Sequence, residues 1–188
     1  MDSATEVHAA VGRFDDVAAV VGPRRPDAGG CWCMAYRDSR VSTFDRPAWM
    51  RGLCETDPGP GVLAYVDGEP AGWCSVAPRS TYRRLMNSRT IPHVDGRDPW
   101  SAVCFVVRAG YRRRGLMHVL LEGAVAHAAA HGAEVVEGYP VEVDGERVDV
   151  VSGYVGTTRL FEAAGFERVA QTTGRSGGRP RWLVRKEL

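Results

Sequence analysis

Four arginines fall within seven residues in Arg108-Ala109-Gly110-Tyr111-Arg112-Arg113-Arg114, and Gly115 follows at once. The run Val103-Cys104-Phe105-Val106-Val107 precedes them and reads as a buried strand. A helical stretch follows, Leu116 to His131, with Leu116, Val119, Leu120 and Ala124 on one stripe and Gly132 as its stop. A strand, a basic glycine turn and a helix together make an anion site. The first N–H groups of a helix have no intrahelical partner, and the dipole adds partial positive charge there. Gly115 carries no side chain to hold a phosphate away from that backbone, and the arginines add charge-assisted hydrogen bonds. Two other groups could do chemistry. Cys31 and Cys33 flank Trp32, a spacing tighter than the usual zinc pair, and no second pair is present. They read as packing residues or as the wall of a pocket. His127 and His131 lie four apart on the long helix without an evident third ligand, and read as ordinary helix-end histidines. No metal is expected.

The elements that must position these residues can be taken in chain order. A short first strand is expected around Glu6 to Ala10, and a helix over Phe14 to Val21 with Asp15 and Asp16 at its positive end. A second helix spans Pro47 to Glu55, with Asp45 as its N-cap. Asp67-Gly68 between the apolar runs Val62–Val66 and Pro70–Val76 predicts a hairpin. Arg79 to Arg97 has no clear period and reads as an irregular excursion, with His93 and Asp95 in solvated loop. Trp100 to Val107 is the fourth strand and Glu134 to Glu137 the fifth. A long connection from Tyr139 to Gly156, with a turn at Asp144-Gly145, leads to a short helix over Thr157 to Ala164 that Gly165 ends. Residues 166–172 and 181–186 form a terminal hairpin, with Pro180 at the start of the last strand.

The chain has 188 residues and reads as one domain over residues 1–188, with 44% hydrophobic and 25% charged residues. A formal net charge of +1 argues against general nucleic-acid binding. Lys186 is the only lysine, so the positive charge is arginine, a bias that identifies no partner. No apolar run is long enough to cross a membrane. The five cysteines, an odd number, make no disulfide framework, and a cytoplasmic location is expected.

Arg112-Arg113-Arg114-Gly115-Leu116-Met117 resembles motif A of the GNAT family of N-acetyltransferases, whose usual form is Arg/Gln-x-x-Gly-x-Gly/Ala. Met117 departs from that form at the last position. Leu160-Phe161-Glu162-Ala163-Ala164-Gly165-Phe166 is similar to the family's Leu-Tyr-Glu-x-x-Gly-Phe stretch. The two matches cover about the last half of the chain. The resemblance implies an α/β fold with a mixed, mostly antiparallel sheet of six to seven strands. Helices would flank the sheet, and its fourth and fifth strands would splay apart. It implies acetyl-CoA as cosubstrate, its pantetheine arm lying in the splay. Backbone groups of Phe105, Val106 and Val107 would bind the pantetheine and the acetyl carbonyl. Amides of Arg112, Arg113, Arg114, Gly115, Leu116 and Met117 would bind the pyrophosphate. The excursion over Arg79 to Arg97 would lie on the active-site face.

The reaction implied is direct attack of a primary amine on the thioester, with an amide of the fourth strand as oxyanion donor. Many relatives carry a glutamate on that strand where this chain has Ser101. Val136-Glu137-Gly138-Tyr139 is similar to a stretch that supplies the base in some relatives acting on N-terminal amines, so Glu137 is the expected base. The family's acidic tyrosine is Phe161 here, leaving Tyr139, Tyr154 or water to protonate the thiolate. The family builds its acceptor pocket from the N-terminal half, which makes Trp32 and Trp73 candidate lining residues. A small-molecule amine, a peptide N-terminus and a lysine side chain all remain open as acceptors, and so do a monomer and a homodimer. With both usual catalytic positions changed, a non-catalytic acyl-CoA-binding sensor or scaffold is the alternative.

Overall fold

A computed structural model describes residues 4–25, 28–143 and 154–188. Apolar runs bounded by turn residues become strands: β1 (Thr5–Ala9), β2 (Gly61–Val66), β3 (Glu69–Pro78), β4 (Trp100–Val107), β5 (Val135–Gly138), β6 (Glu167–Ser176) and β7 (Arg179–Glu187). They form one sheet in the order β1-β2-β3-β4-β5-β7-β6. Every pairing is antiparallel except β4 with β5. The Asp67-Gly68 hairpin forms as expected, with φ of 53° and 82° at its two turn residues, the left-handed pair that a two-residue loop needs.

Three helices set the layers. α4 (Leu116–Ala130) buries Leu116, Leu120, Leu121, Ala124 and Ala128, so the stripe read from the sequence is its buried face. It covers one face of the sheet and packs there on Val62, Ala64, Cys74, Phe105 and Val136. α1 (Phe14–Val21) and α2 (Arg46–Cys54) cover part of the other face, where Leu63, Tyr65 and Trp73 meet Val17, Val20 and Met50. The rest of that second face lies under the excursion, which contains a single 3-10 turn at Arg79–Thr81 and the one-turn α3 (Arg83–Met86). α5 (Thr158–Ala163) starts at Thr157, whose hydroxyl accepts from the Leu160 N–H.

Local expectations fail in three places. Asp45 occupies the cap position of α2 but makes no side-chain cap bond. The terminal hairpin runs longer than expected and turns at Gly177 and Gly178, whose φ values are 56° and 78°. His127 and His131 are not free helix-end side chains. They clasp the loop before β2, through Pro58 O at 3.0 Å and the Asp57 carboxylate at 3.3 Å, and both rings pack on Trp100. The turn expected at Asp144-Gly145 lies outside the described residues.

The sheet opens at its centre. β4 and β5 pair over only three positions: Trp100 with Val136, Ser101 with Glu137 and Ala102 with Gly138. At the same level the β3–β4 register slips between Ser75 and Val76, which bends β4 away from its parallel neighbour. Beyond that point β5 continues as Tyr139 to Val141, which bridges Thr157 and Arg181 instead of β4.

Candidate active site

A cavity of about 530 Å³ opens where β4 leaves β5. That volume suits a ligand of drug or cofactor size. Its walls are Phe105, Val106 and Val107 from β4, Tyr111, Arg112, Arg113 and Gly115 from the basic turn, Leu116, Met117 and His118 from α4, and Tyr154, Gly156, Thr157, Arg159 and Leu160 from the approach to α5. Eight of the nine residues expected to bind the cofactor therefore line one space. Arg114 does not line it; its guanidinium lies 5.7 Å from the Tyr111 ring centroid.

The basic turn has the conformation that anion binding needs. Arg113 and Gly115 both adopt left-handed backbone, at φ 62° and 75°. Successive amides then converge on one concavity, an arrangement known to hold phosphate. Among the described residues, no backbone carbonyl accepts from the N–H groups of residues 113–117. No side chain caps α4 either. A Cβ built on Gly115 would meet nothing within 4 Å, so the space in front of it is open. Arg112 braces the turn by donating from Nε to Val107 O at 3.1 Å.

β4 presents its free backbone edge to the cavity, with one change from expectation. The Phe105 N–H donates to Tyr154 O at 2.8 Å, so the chain's own residues satisfy it. The Arg108 N–H donates to Ala71 O on β3 at 2.9 Å. Antiparallel alternation therefore turns the Val107 N–H and C=O toward the gap, in line with those of Phe105. Val107 O takes Arg112, and its N–H is the open donor of this edge.

The three expected catalytic side chains separate. Tyr154 is 43% exposed at the cavity wall. Glu137 is fully buried on the opposite face of the sheet, between two guanidiniums. Arg79 Nη1 donates to its Oε2 at 2.8 Å, and Arg185 Nε donates to its Oε1 at 2.7 Å. The Tyr139 hydroxyl also donates to Oε2, at 2.7 Å, and is itself hydrogen-bonded to Arg79 and Ser101. Burial, with Glu137 beside it, pushes the Tyr139 phenol well above its ordinary range. Arg185 Nη2 also reaches Oε1, at 2.6 Å, so each carboxylate oxygen takes two donors and no lone pair is left for an amine. Neither Glu137 nor Tyr139 lines the cavity, and an acceptor could reach Glu137 only by displacing one of its donors. The network ends at Asp95, which Arg185 and then Arg97 hold far below the usual carboxylate range. Asp95 is exposed in the loop, as expected, and is in addition an ion-pair partner of Arg185. Glu134 is exposed, on the other side of the strand from Glu137.

The two tryptophans expected at an acceptor pocket are core residues. Trp73 is fully buried and donates from its indole N–H to Cys33 Sγ at 3.1 Å, while Trp32 is 6% exposed and stacks on Phe14. Cys33, Met34 and Met50 complete this cluster under α1 and α2, which accounts for Trp32 and Cys33 by packing, while Cys31 is exposed. Among the described residues, no group of three or more His, Cys, Asp or Glu side chains could hold a metal ion. Phe161 is also turned away from the cavity. Its ring sits where a Cβ on Gly138 would come within 2.1 Å of it, and it packs edge-on to Phe105 and Phe166.

Sequence reasoning missed several wall residues: Tyr111, His118, Gly156, Thr157 and Arg159. Arg159, adjacent to the recognised Leu160-Phe161 stretch, was the one with a visible signal. It also missed Arg79 and Arg185, which no local pattern ties to Glu137.

A family model described as the acetyltransferase (GNAT) family matches residues 30–166. No curated protein matches the chain significantly. Among solved structures, a mosquito arylalkylamine N-acetyltransferase like 5b is similar, with a TM-score of 0.60 at 14% identity over 98% of this chain and 100% of that one. A ribosomal-protein-alanine N-acetyltransferase from Brucella melitensis aligns with a TM-score of 0.57 at 16% identity, over 97% and 99% of the two chains. A putative acetyltransferase from Salmonella typhimurium, solved with its cofactor acetyl-CoA, aligns with a TM-score of 0.56 at 17% identity, over 98% and 94%. At these identities the likeness is one of fold.

Proposed function

The chain belongs to the acetyltransferase (GNAT) family, and from that premise we propose that it transfers the acetyl group of acetyl-CoA to a primary amine by direct attack. One observation carries the proposal: the cavity joins the unpartnered amides of residues 113–117 to the free edge of β4. The amides and Arg112 hold the pyrophosphate. The pantetheine runs along β4 toward the splay, where the Val107 N–H is its open backbone donor. The thioester then lies in the splay at the sheet's centre, within reach of the second face. That the Salmonella protein was solved with acetyl-CoA supports the same cosubstrate here.

Proton handling follows from the positions of the side chains. Glu137 acts as a positioning residue: through Arg79 and Arg185 it ties the excursion and β7 to β5. The amine then attacks in its neutral form, with water taking its proton. Tyr154 is the acid, because its side chain stands at the cavity while its carbonyl is pinned to β4. CoA thiolate is a fair leaving group, so the gain from Tyr154 is modest. Tyr154→Phe lowers kcat by about 10-fold, below the usual range for a general acid, and leaves the acetyl-CoA affinity unchanged. Steady-state rates and calorimetry on the same preparation check both halves of that expectation.

Arg112→Ala weakens acetyl-CoA binding by about 10-fold, the value of one charge-assisted hydrogen bond at the low end of its range. Calorimetric titration reads this loss directly. The reaction itself is tested by incubating the protein with acetyl-CoA and pools of primary amines. Release of free CoA thiol, matched by an acetylated amine in the mass spectrum, is the expected result. Tight acetyl-CoA binding with no thiol release from any pool would instead identify a sensor or scaffold.

A further inference from the structure

The second face of the sheet buries more positive charge than it balances. Four arginines are nearly inaccessible there: Arg37 at 4%, Arg79 at 1%, Arg181 at 7% and Arg185 at 7%. Arg79 and Arg185 share Glu137. Arg37 donates to Pro60 O at 2.7 Å and stacks on Tyr82. Arg37 and Arg79 each bury an Nε without a partner, and Arg37 also pairs with no carboxylate among the described residues; in Arg181 the open atom is a terminal nitrogen. Arg181 Nε donates to Tyr139 O at 2.8 Å, but its Nη2 is buried with no hydrogen-bond partner, and no carboxylate pairs with it among the described residues. A buried guanidinium without a counter-charge is costly, and the cost falls when an anion enters.

Arg181 also stands in a telling place. Its residue bridges Val141, which in turn bridges Thr157 in the cavity wall. Its guanidinium carbon lies 5.9 Å from the centroid of the Tyr36 ring. Tyr36 packs on the same cluster as Cys104 of β4, on the other side of the splay. Tyr36, Cys104 and Arg181 thus lie together on the face opposite α4, outside the lining of the cavity, on the side from which an acceptor would approach the thioester.

We infer that the acceptor amine carries a carboxylate of its own, as a free amino acid does, and that Arg181 binds that carboxylate beside the splay. The inference rests on the acetyl-transfer reading and names the acceptor class for that same site. A guanidinium N–H gives a carboxylate oxygen a charge-assisted hydrogen bond. One open nitrogen on one arginine offers little to a phosphate dianion.

The test compares each standard α-amino acid with its own carboxamide, which removes the negative charge and also lowers the amine pKa, so that the carboxamide holds the larger neutral fraction and an acid preference appears against it. Two readouts are taken on the acetyl-CoA- or CoA-loaded protein: thiol release and the shift in melting temperature. At least one free acid is expected to turn over on the order of 10- to 100-fold faster than its carboxamide, the range of one charged hydrogen bond. The same acid stabilises the CoA-loaded protein and its carboxamide does not. Arg181→Gln abolishes that preference while leaving acetyl-CoA affinity intact. Arg181→Lys, which keeps the charge and the stem, retains a reduced preference and serves if the glutamine variant does not fold. Carboxamides equal to acids throughout, or an acid preference that survives either variant unchanged, overturn the inference. So does stabilisation by inorganic phosphate with none by any amino acid. A protein that binds no CoA fails at the acetyl-transfer reading instead, and calorimetry with CoA alone identifies that failure.

Discussion

Gly115→Glu abolishes measurable acetyl-CoA binding. The open space in front of Gly115 lies among amides that have no other backbone partner, so the new carboxylate would occupy the pyrophosphate's position and repel it. Losing two or more charge-assisted bonds gives a loss on the order of 100-fold or greater. The substitution also forces a side chain onto left-handed backbone, since φ there is 75°. Gly115→Ala separates the two effects: it adds the same strain, about 1 kcal/mol, without the charge. Calorimetry should therefore show near-normal affinity in the alanine variant and none in the glutamate variant. Equal affinity in wild type and Gly115→Glu would remove the pyrophosphate from this turn.

Glu137→Ala unfolds far more readily than wild type. It leaves Arg79 without a counter-ion in a buried site, and Arg185 with Asp95 alone, where the exposure of the carboxylate they share is 0%. Breaking a buried pair from one side costs about 3–5 kcal/mol, a large share of a domain's stability of about 5–15 kcal/mol. Urea denaturation should show the drop directly. Glu137→Gln is destabilised as well, because its amide N–H₂ must face a guanidinium. The fraction of it that folds should retain a rate within about 10-fold of wild type, short of the 10²–10⁴-fold that loss of a general base brings. A stable Glu137→Gln protein that loses activity on the order of 100-fold would make Glu137 the base after all.

The difference between what was legible and what was not is one of range along the chain. The basic turn, α4 and the β2–β3 hairpin follow from local signals: a glycine after arginines, a helical stripe, an Asp-Gly pair. Their physics is contained in a few neighbouring residues, and the structure places them as expected. The Leu160–Phe166 stretch was recognised for the same reason. Glu137 had a local signal too, its similarity to a catalytic stretch, but its partners Arg79 and Arg185 lie 58 and 48 residues away. Only the register of β5 with β7 and the path of the excursion bring them together. Trp32 and Trp73 carry the opposite lesson. The family's use of its N-terminal half suggested a pocket for them, while burial against α1 and α2 makes both core. The use of the Phe105 N–H by Tyr154 was likewise invisible, because it depends on how the approach to α5 enters the splay.

The central claim is that CoA is held by the backbone of residues 113–117 beside the edge of β4. Hydrogen–deuterium exchange, read with and without acetyl-CoA, tests it most directly. Amides without a hydrogen-bond partner exchange rapidly in the free protein. Acetyl-CoA should slow exchange in a peptide covering residues 113–117 and in one reaching Val107, while peptides from β1 and α2 stay unchanged. Protection that appears elsewhere, with residues 113–117 exchanging as fast as before, would contradict the account.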